Sequence, residues 1–192
     1  LRTAILERKT KETAIKIELD LDGAGECKIS TGIGFFDHML EAFAFRAGIG
    51  LRLECVGDLE VDAHHTVEDV GICLGQAILD ALGERRGIVR YANCALPMDE
   101  ALVNCAADIS GRGFLVYNAE ISAENCGDFP TELAEEFFRA LAHNAGITLH
   151  INLAYGKNAH HILEAIFKAA GLVLGTATRI ISDKIPSTKG VL

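Results

Sequence analysis

Residues 38–51 (HMLEAFAFRAGIGL) and 136–149 (EFFRALAHNAGITL) are two versions of one segment. Ala42/Ala140, Ala44/Ala142, Ala47/Ala145, Gly48/Gly146, Ile49/Ile147 and Leu51/Leu149 coincide at a spacing of 98 residues. After a two-residue shift, His64-His65-x-x-Glu68 falls on His160-His161-x-x-Glu164. Two matched blocks in the same order, the second a rare motif, indicate duplication of a unit of roughly 90 residues. Any fold for this chain has to build one supersecondary unit twice.

Each unit shares a coarse grammar. In the first, alternating stretches near 3–8, 13–20 and 26–30 read as strands, with Asp22-Gly23 as a hairpin turn. A helix over about 35–47 ends at Gly48, and a strand over about 50–56 follows. The unit closes with a helix from about 65 to 83, its apolar face formed by Val67, Val70, Leu74, Ala77, Ile78 and Ala81. The second unit gives strands near 88–95, 101–108 and 113–121, a helix from Pro130 to Ala145, a strand 147–153 and a helix 159–178. Strands clustered ahead of helices predict an α+β fold, each half placing two helices on one face of its sheet. The halves, 1–86 and 87–192, meet near Glu84-Arg85-Arg86-Gly87 and are expected to share one core. The stretch from Ser182, with Pro186-Ser187-Thr188-Lys189-Gly190, reads as a loop or tail.

With 49% hydrophobic residues the chain can fill that core. Its 18 Lys and Arg against 27 Asp and Glu leave a net charge of −9, which argues against nucleic acid or an anionic membrane as partner. The same balance leaves room for a few cations around one phosphorylated metabolite. No apolar run approaches the ~20 residues needed to span a bilayer, and Leu1-Arg2-Thr3-Ala4 shows no secretory pattern. Cys27, Cys55, Cys73, Cys94, Cys105 and Cys126 are scattered without a CxxC pair, so reduced thiols and a cytoplasmic location are expected.

The chemistry falls on the histidines. Residues four apart share a helix face, so His64 with Glu68, and His160 with Glu164, are each a two-point clamp for a divalent ion such as Mn, Fe or Zn. His65 and His161 point roughly 100° away from their neighbours, so one ion cannot take both members of a pair. At least two ions are implied, each drawing ligands from more than one element. His38 falls opposite Glu136 in the repeat, which makes both candidate ligands; His143 rivals Glu136, and His150, on a strand, reads as structural. His160, Glu164 and Lys168 form a row of about 12 Å, fitting a metal at one end and a phosphate at the other. Arg90, Arg112 in Gly111-Arg112-Gly113, and Lys189 are further candidate anion contacts.

Taken together, Phe36-Asp37-His38-Met39, Asp62-Ala63-His64-His65-Thr66-Val67-Glu68-Asp69, Gly156-Lys157-Asn158-Ala159-His160-His161, Phe167-Lys168-Ala169 and Pro186-Ser187-Thr188-Lys189-Gly190 resemble the imidazoleglycerol-phosphate dehydratase family, essentially end to end. The resemblance implies two ferredoxin-like halves (the ribosomal protein S5 domain 2-like unit) related by duplication. It also implies trimers assembled into a 24-subunit shell, with two Mn2+ ions per active site between subunits. Carried over, one ion takes His38, His65, His160 and Glu164, and the other takes His64, Glu68, His161 and the residue at 136. Glu12 matches a substrate-contacting acid, and Arg90, Arg112, Lys168, Ser187, Thr188 and Lys189 match the phosphate-binding segments. Many members carry His where this chain has Glu136, a change that keeps a ligand and favours harder ions.

The implied reaction is loss of water from imidazole glycerol phosphate to give imidazole acetol phosphate in histidine biosynthesis. No carbonyl adjoins the carbon that loses its proton, so the imidazole itself has to serve as electron sink, as an imidazolate between two ions. A carboxylate then moves protons at the side chain: Glu12 is the first choice, with Asp69, Glu68 and Glu164 as alternatives. Two other classes fit the bare histidine motifs, a dinuclear phosphate-ester hydrolase and a non-catalytic metal-binding or shell-forming protein.

Overall fold

The structure, a computed structural model, describes residues 1–23 and 26–190; residues 191 and 192, the end of the tail, lie outside the described residues. The first half runs β1 (Thr3–Lys9), β2 (Thr13–Asp20), β3 (Cys27–Ser30), α1 (Gly34–Ala47), β4 (Gly50–Gly57) and α2 (His64–Leu82). The second runs β5 (Tyr91–Met98), β6 (Ala101–Asp108), β7 (Phe114–Asn118), a short ribbon of β8 (Asn125–Cys126) and β9 (Phe129–Pro130), α3 (Leu133–Ala145), β10 (Thr148–Tyr155) and α4 (Ala159–Thr178). The main sheets have matching orders, β1-β2-β4-β3 and β5-β6-β10-β7. This is the duplicated α+β architecture expected from the repeat.

The turn at Asp22-Gly23 does not make a hairpin. β4 inserts between β2 and β3, pairing antiparallel with β2 (Ile17 opposite Leu53) and parallel with β3 (Ile29 opposite Leu53). Parallel neighbours need a crossover connection, and α1 supplies it between β3 and β4. The true hairpins are β1–β2 and β5–β6. Pro130 likewise belongs to β9 and not to α3, because Phe129 is drawn into the core, stacked 5.6 Å from Phe36.

Each sheet buries alternate residues on one face: Thr13, Ile15, Ile17 and Leu19 of β2 point inward while Ala14 and Lys16 face out. α1 and α2 cover that face of the first sheet, and α3 and α4 cover the second. The helices then pair across the duplication, α2 on α3 and α1 on α4. Phe36 of α1, Phe137 of α3 and Phe167 of α4 meet at ring separations of 5.3 to 6.3 Å, in one core that draws on both halves. Close helix approach depends on glycine. A methyl at Gly71 would sit 2.7 Å from the Phe137 carbonyl oxygen, and one at Gly75 2.6 Å from that of Leu141. Gly171 and Gly175 of α4 press against the Phe43 and Ala47 carbonyls of α1 in the same manner.

α4, at 20 residues, is long and apolar enough to cross a bilayer by length and composition, a property that the interrupting His160, His161, Glu164 and Lys168 hide in the sequence. Here it is a core helix, its most apolar stretch 72% buried inside the protein. The tail is strapped down: Ile88 bridges Ile180, Gly87 donates to the Lys184 carbonyl at 2.7 Å, and Arg90 donates to that of Pro186 at 2.7 Å.

Candidate metal centre and active site

Both histidine pairs open a helix that follows the last strand of a sheet. Asn158 caps α4, its side chain accepting from the His161 amide. At the head of α2, Asp62 accepts from the His64 amide at 2.8 Å. Within each pair the rings stand nearly perpendicular, 86° for His64/His65 and 78° for His160/His161, with centroids more than 6 Å apart. The divergence expected from helical geometry is present.

The first histidine of each pair turns to the carboxylate on its own helix. His160 Nε2 lies 3.0 Å from Glu164 Oε2, and His64 Nε2 lies 3.5 Å from Glu68 Oε2. From α1, His38 Nε2 approaches the same Glu164 oxygen at 3.6 Å. His38, His160 and Glu164 thus offer three donor atoms all within 4.8 Å of one another, the only such group among the described residues. Two imidazoles and a carboxylate form a donor set that fits Mn2+, Fe2+ or Zn2+. Lys168 completes the row, its ammonium 2.5 Å from Glu164 Oε1. Burial pushes the Glu164 carboxyl up, but Lys168 and His160 outweigh it and hold the group below the usual carboxylate range.

The second histidine of each pair looks elsewhere. His65 Nδ1 is 3.0 Å from Asp58, and its Nε2 lies 3.8 Å from Glu12, carried on the β1–β2 turn. His161 Nδ1 is 2.6 Å from Glu100 on the β5–β6 turn, and its Nε2 lies 3.5 Å from Asp99. Hydrogen bonds to Asp58 and Glu100 raise the affinity of these imidazoles for a proton. Glu100 is itself held near a pKa of about 2, chiefly by the Asn158 amide and then by His161. Asp58, Asp99 and Glu100 were not visible as site residues in the sequence. Aligning the β5–β6 turn with the β1–β2 turn that carries Glu12 would have pointed to the latter two.

Other candidates are placed as follows. Glu136 lies on α3, packed against α2 as α1 packs against α4, so it is the counterpart of His38; its carboxylate turns to Arg139 at 3.9 Å and joins no three-donor group. Asp69 is 7% exposed, accepts from Thr13 Oγ1 at 2.5 Å and pairs with Arg8 at 2.7 Å. It braces the hairpin that presents Glu12 and does not face the open surface. Arg90 is committed to Asp108, at 2.8 Å, and to the Pro186 carbonyl, while the largely exposed Arg112 reaches the same aspartate at 3.9 Å. Ser187 folds the tail by accepting the Lys189 amide on its hydroxyl and the Gly190 amide on its carbonyl, with Thr188 between.

This places the arginines and the tail at one end of α4 and the histidines at the other. Arg90 bonds the Ala177 carbonyl through its amide, about 25 Å along the helix from His160 at ~1.5 Å per residue. No small metabolite bridges that distance within a single chain.

Fold and side chains together define a class: duplicated α+β proteins that carry an imidazole–carboxylate pair at the head of the last helix of each half. Comparison with known proteins narrows it to one family. The family described as imidazoleglycerol-phosphate dehydratase matches residues 31–174. Curated relatives of that name include those of Oceanobacillus iheyensis, 58% identical with all of both chains covered, and Acetivibrio thermocellus, 57% identical over 97% of each. Crystal structures of the Staphylococcus aureus and Pyrococcus furiosus dehydratases superpose with TM-scores of 0.85 and 0.84 at 42% and 41% identity. They cover 93% and 97% of this chain, and 99% and 100% of theirs. The chain belongs to the imidazoleglycerol-phosphate dehydratase family, a family of hydro-lyases in histidine biosynthesis.

Proposed function

We propose that this chain dehydrates D-erythro-imidazole glycerol phosphate to imidazole acetol phosphate, with the substrate ring acting as an imidazolate electron sink between two divalent ions, Mn2+ first among them. The observation that carries the reading is the convergence of His38, His160 and Glu164 on one point. When bound, the ions supply Lewis-acid polarisation that lets the ring accept negative charge.

The chain's own groups do the rest. His38, His160 and Glu164 hold one ion, with His65 as fourth ligand; His64, Glu68, His161 and Glu136 hold the other. Glu12, outside the three-donor cluster and 3.8 Å from His65 Nε2, is the carboxylate that moves a proton at the substrate side chain in this reading. Arg112, Lys168 and the Ser187-Thr188-Lys189 segment bind the phosphate, and Arg90 holds that segment in place through Pro186. The length of α4 between the histidines and the arginines favours a site completed by other copies, through trimers and a 24-subunit shell. We place the enzyme in the cytoplasm, acting on a small metabolite without nucleic acid or membrane.

The test is removal and return of metal. Chelation should abolish turnover, added Mn2+ should restore it, and His38→Ala should lose metal and rate together. Product ultraviolet absorbance without free phosphate distinguishes dehydration from phosphate-ester hydrolysis. Unchanged turnover after verified metal removal, or release of free phosphate, overturns the reading.

A further inference from the structure

Each second histidine is held from behind by a carboxylate, and the two carboxylates come from unrelated places. Asp58 lies in the connection between β4 and α2; the position 98 residues on is Gly156. Glu100 lies in the β5–β6 turn, and its counterpart turn in the first half sends Glu12 toward the opposite nitrogen of His65. Duplication therefore did not hand one contact to both halves. The same Nδ1 contact is made twice by different routes, at 3.0 Å and 2.6 Å.

The Glu100 carboxylate is held by backbone amides, and Asp58 is held through its own backbone. Glu100 Oε1 accepts the Lys157 and Asn158 amides at 3.2 and 2.7 Å, which ties it to the start of α4 and leaves Oε2 for His161. The Asp58 amide donates to the Glu12 carbonyl at 3.0 Å, and its own carbonyl accepts the Val61 amide at 2.9 Å. A carboxylate at Nδ1 draws the single proton of a neutral imidazole to that nitrogen and leaves the Nε2 lone pair free. The first histidines of the pairs show no such contact among the described hydrogen bonds, and they meet the carboxylates of their own helices through Nε2.

We infer that Asp58 and Glu100 are positioning residues that fix the tautomer and ring orientation of His65 and His161, so that each presents Nε2 as a metal donor. The inference rests on the metal-dependent reading above. Such partners typically govern metal affinity by about 10–100-fold through the ligand they orient.

The test measures binding rather than rate. Metal-stripped wild type, Asp58→Asn and Glu100→Gln are titrated with Mn2+, free ion being read from its solution electron paramagnetic resonance signal, and folding is checked by circular dichroism. The expected result is a dissociation constant raised about 10–100-fold in each variant. Glu26→Gln, a surface carboxylate paired with Arg52, should bind as wild type does. If Glu100→Gln fails to fold for want of its backbone contacts, Asp58→Asn carries the comparison. Tight binding by wild type and both variants alike overturns the inference alone. A wild type that binds no Mn2+ overturns the inference and the functional reading together.

Discussion

The glycine contacts between helices invite a quantitative test at Gly75. An added methyl would stand 2.6 Å from the Leu141 carbonyl oxygen, 2.9 Å from Asn144 Cβ and 3.1 Å from the Ala145 amide nitrogen. Ordinary contact begins near 3.4 Å, so α2 and α3 would have to part by about 0.8 Å. Two of the three atoms met are backbone, in a helix whose Leu141 and Ala145 are fully buried, and cannot rotate away. Overpacking of this kind costs about 1–3 kcal/mol, and the better helix propensity of alanine returns about 0.8–1.0. With rigid neighbours the upper end applies, leaving Gly75→Ala destabilised by about 2 kcal/mol. At about 2–4 °C per kcal/mol for a chain of this size, the midpoint should fall by about 4–8 °C. Thermal unfolding at fixed protein concentration measures it. Gly34→Ala is the control, because its methyl would meet nothing nearer than Asp128 Oδ2 at 3.7 Å. A Gly75→Ala midpoint equal to or above the wild type's would refute the claim that glycine sets this helix spacing.

Burial pushes the thiols of Cys55 and Cys73 to about 12 and about 11, and raises Cys105 as well. A disulfide reagent at mildly alkaline pH should therefore label these three slowly in the native state and all six cysteines after denaturation; fast native labelling of all six would contradict the packing described. Asp22 is paired with Arg2 at 2.5 Å, and that hydrogen bond lowers its carboxyl. A lowered folded value stabilises fully above the unfolded value of about 3.9 and loses that contribution as pH falls through the folded one. Asp22→Asn should thus cost at most about 1 kcal/mol near neutrality, the pair being partly exposed, and the gap should close in acid. Denaturant titrations across that range measure it, and a gap that widens toward acid would count against the pairing.

Local signals were legible in the sequence where a few neighbouring residues decide the matter. α4 runs over the expected 159–178, and α1 ends at Gly48, whose φ of 68° suits glycine. The clamps His64/Glu68 and His160/Glu164 follow from helical spacing alone. Strand order was not legible, since β4 enters between β2 and β3 through pairings 24 to 44 residues apart. Nor were the supports of the site: Glu100 reaches His161 across 61 positions, and Asp128 caps α1 across 94. Lys168 lies four residues past Glu164, so the spacing that pairs His160 with Glu164 also brings its ammonium to that carboxylate. Arg90 is a candidate anion contact by sequence, yet Asp108 and Pro186, 18 and 96 positions away, occupy it.

The crossed pairing of helices bears on descent. α1 packs on α4, from the other half, and Phe36 meets Phe129, Phe137 and Phe167 there, so a protein made of one unit would lose that cover. A half-length chain would need a second copy of itself to keep that helix face covered. Joined in one chain, the two units hold each other's helices covered and are free to differ in their side chains, as Glu136 opposite His38 shows.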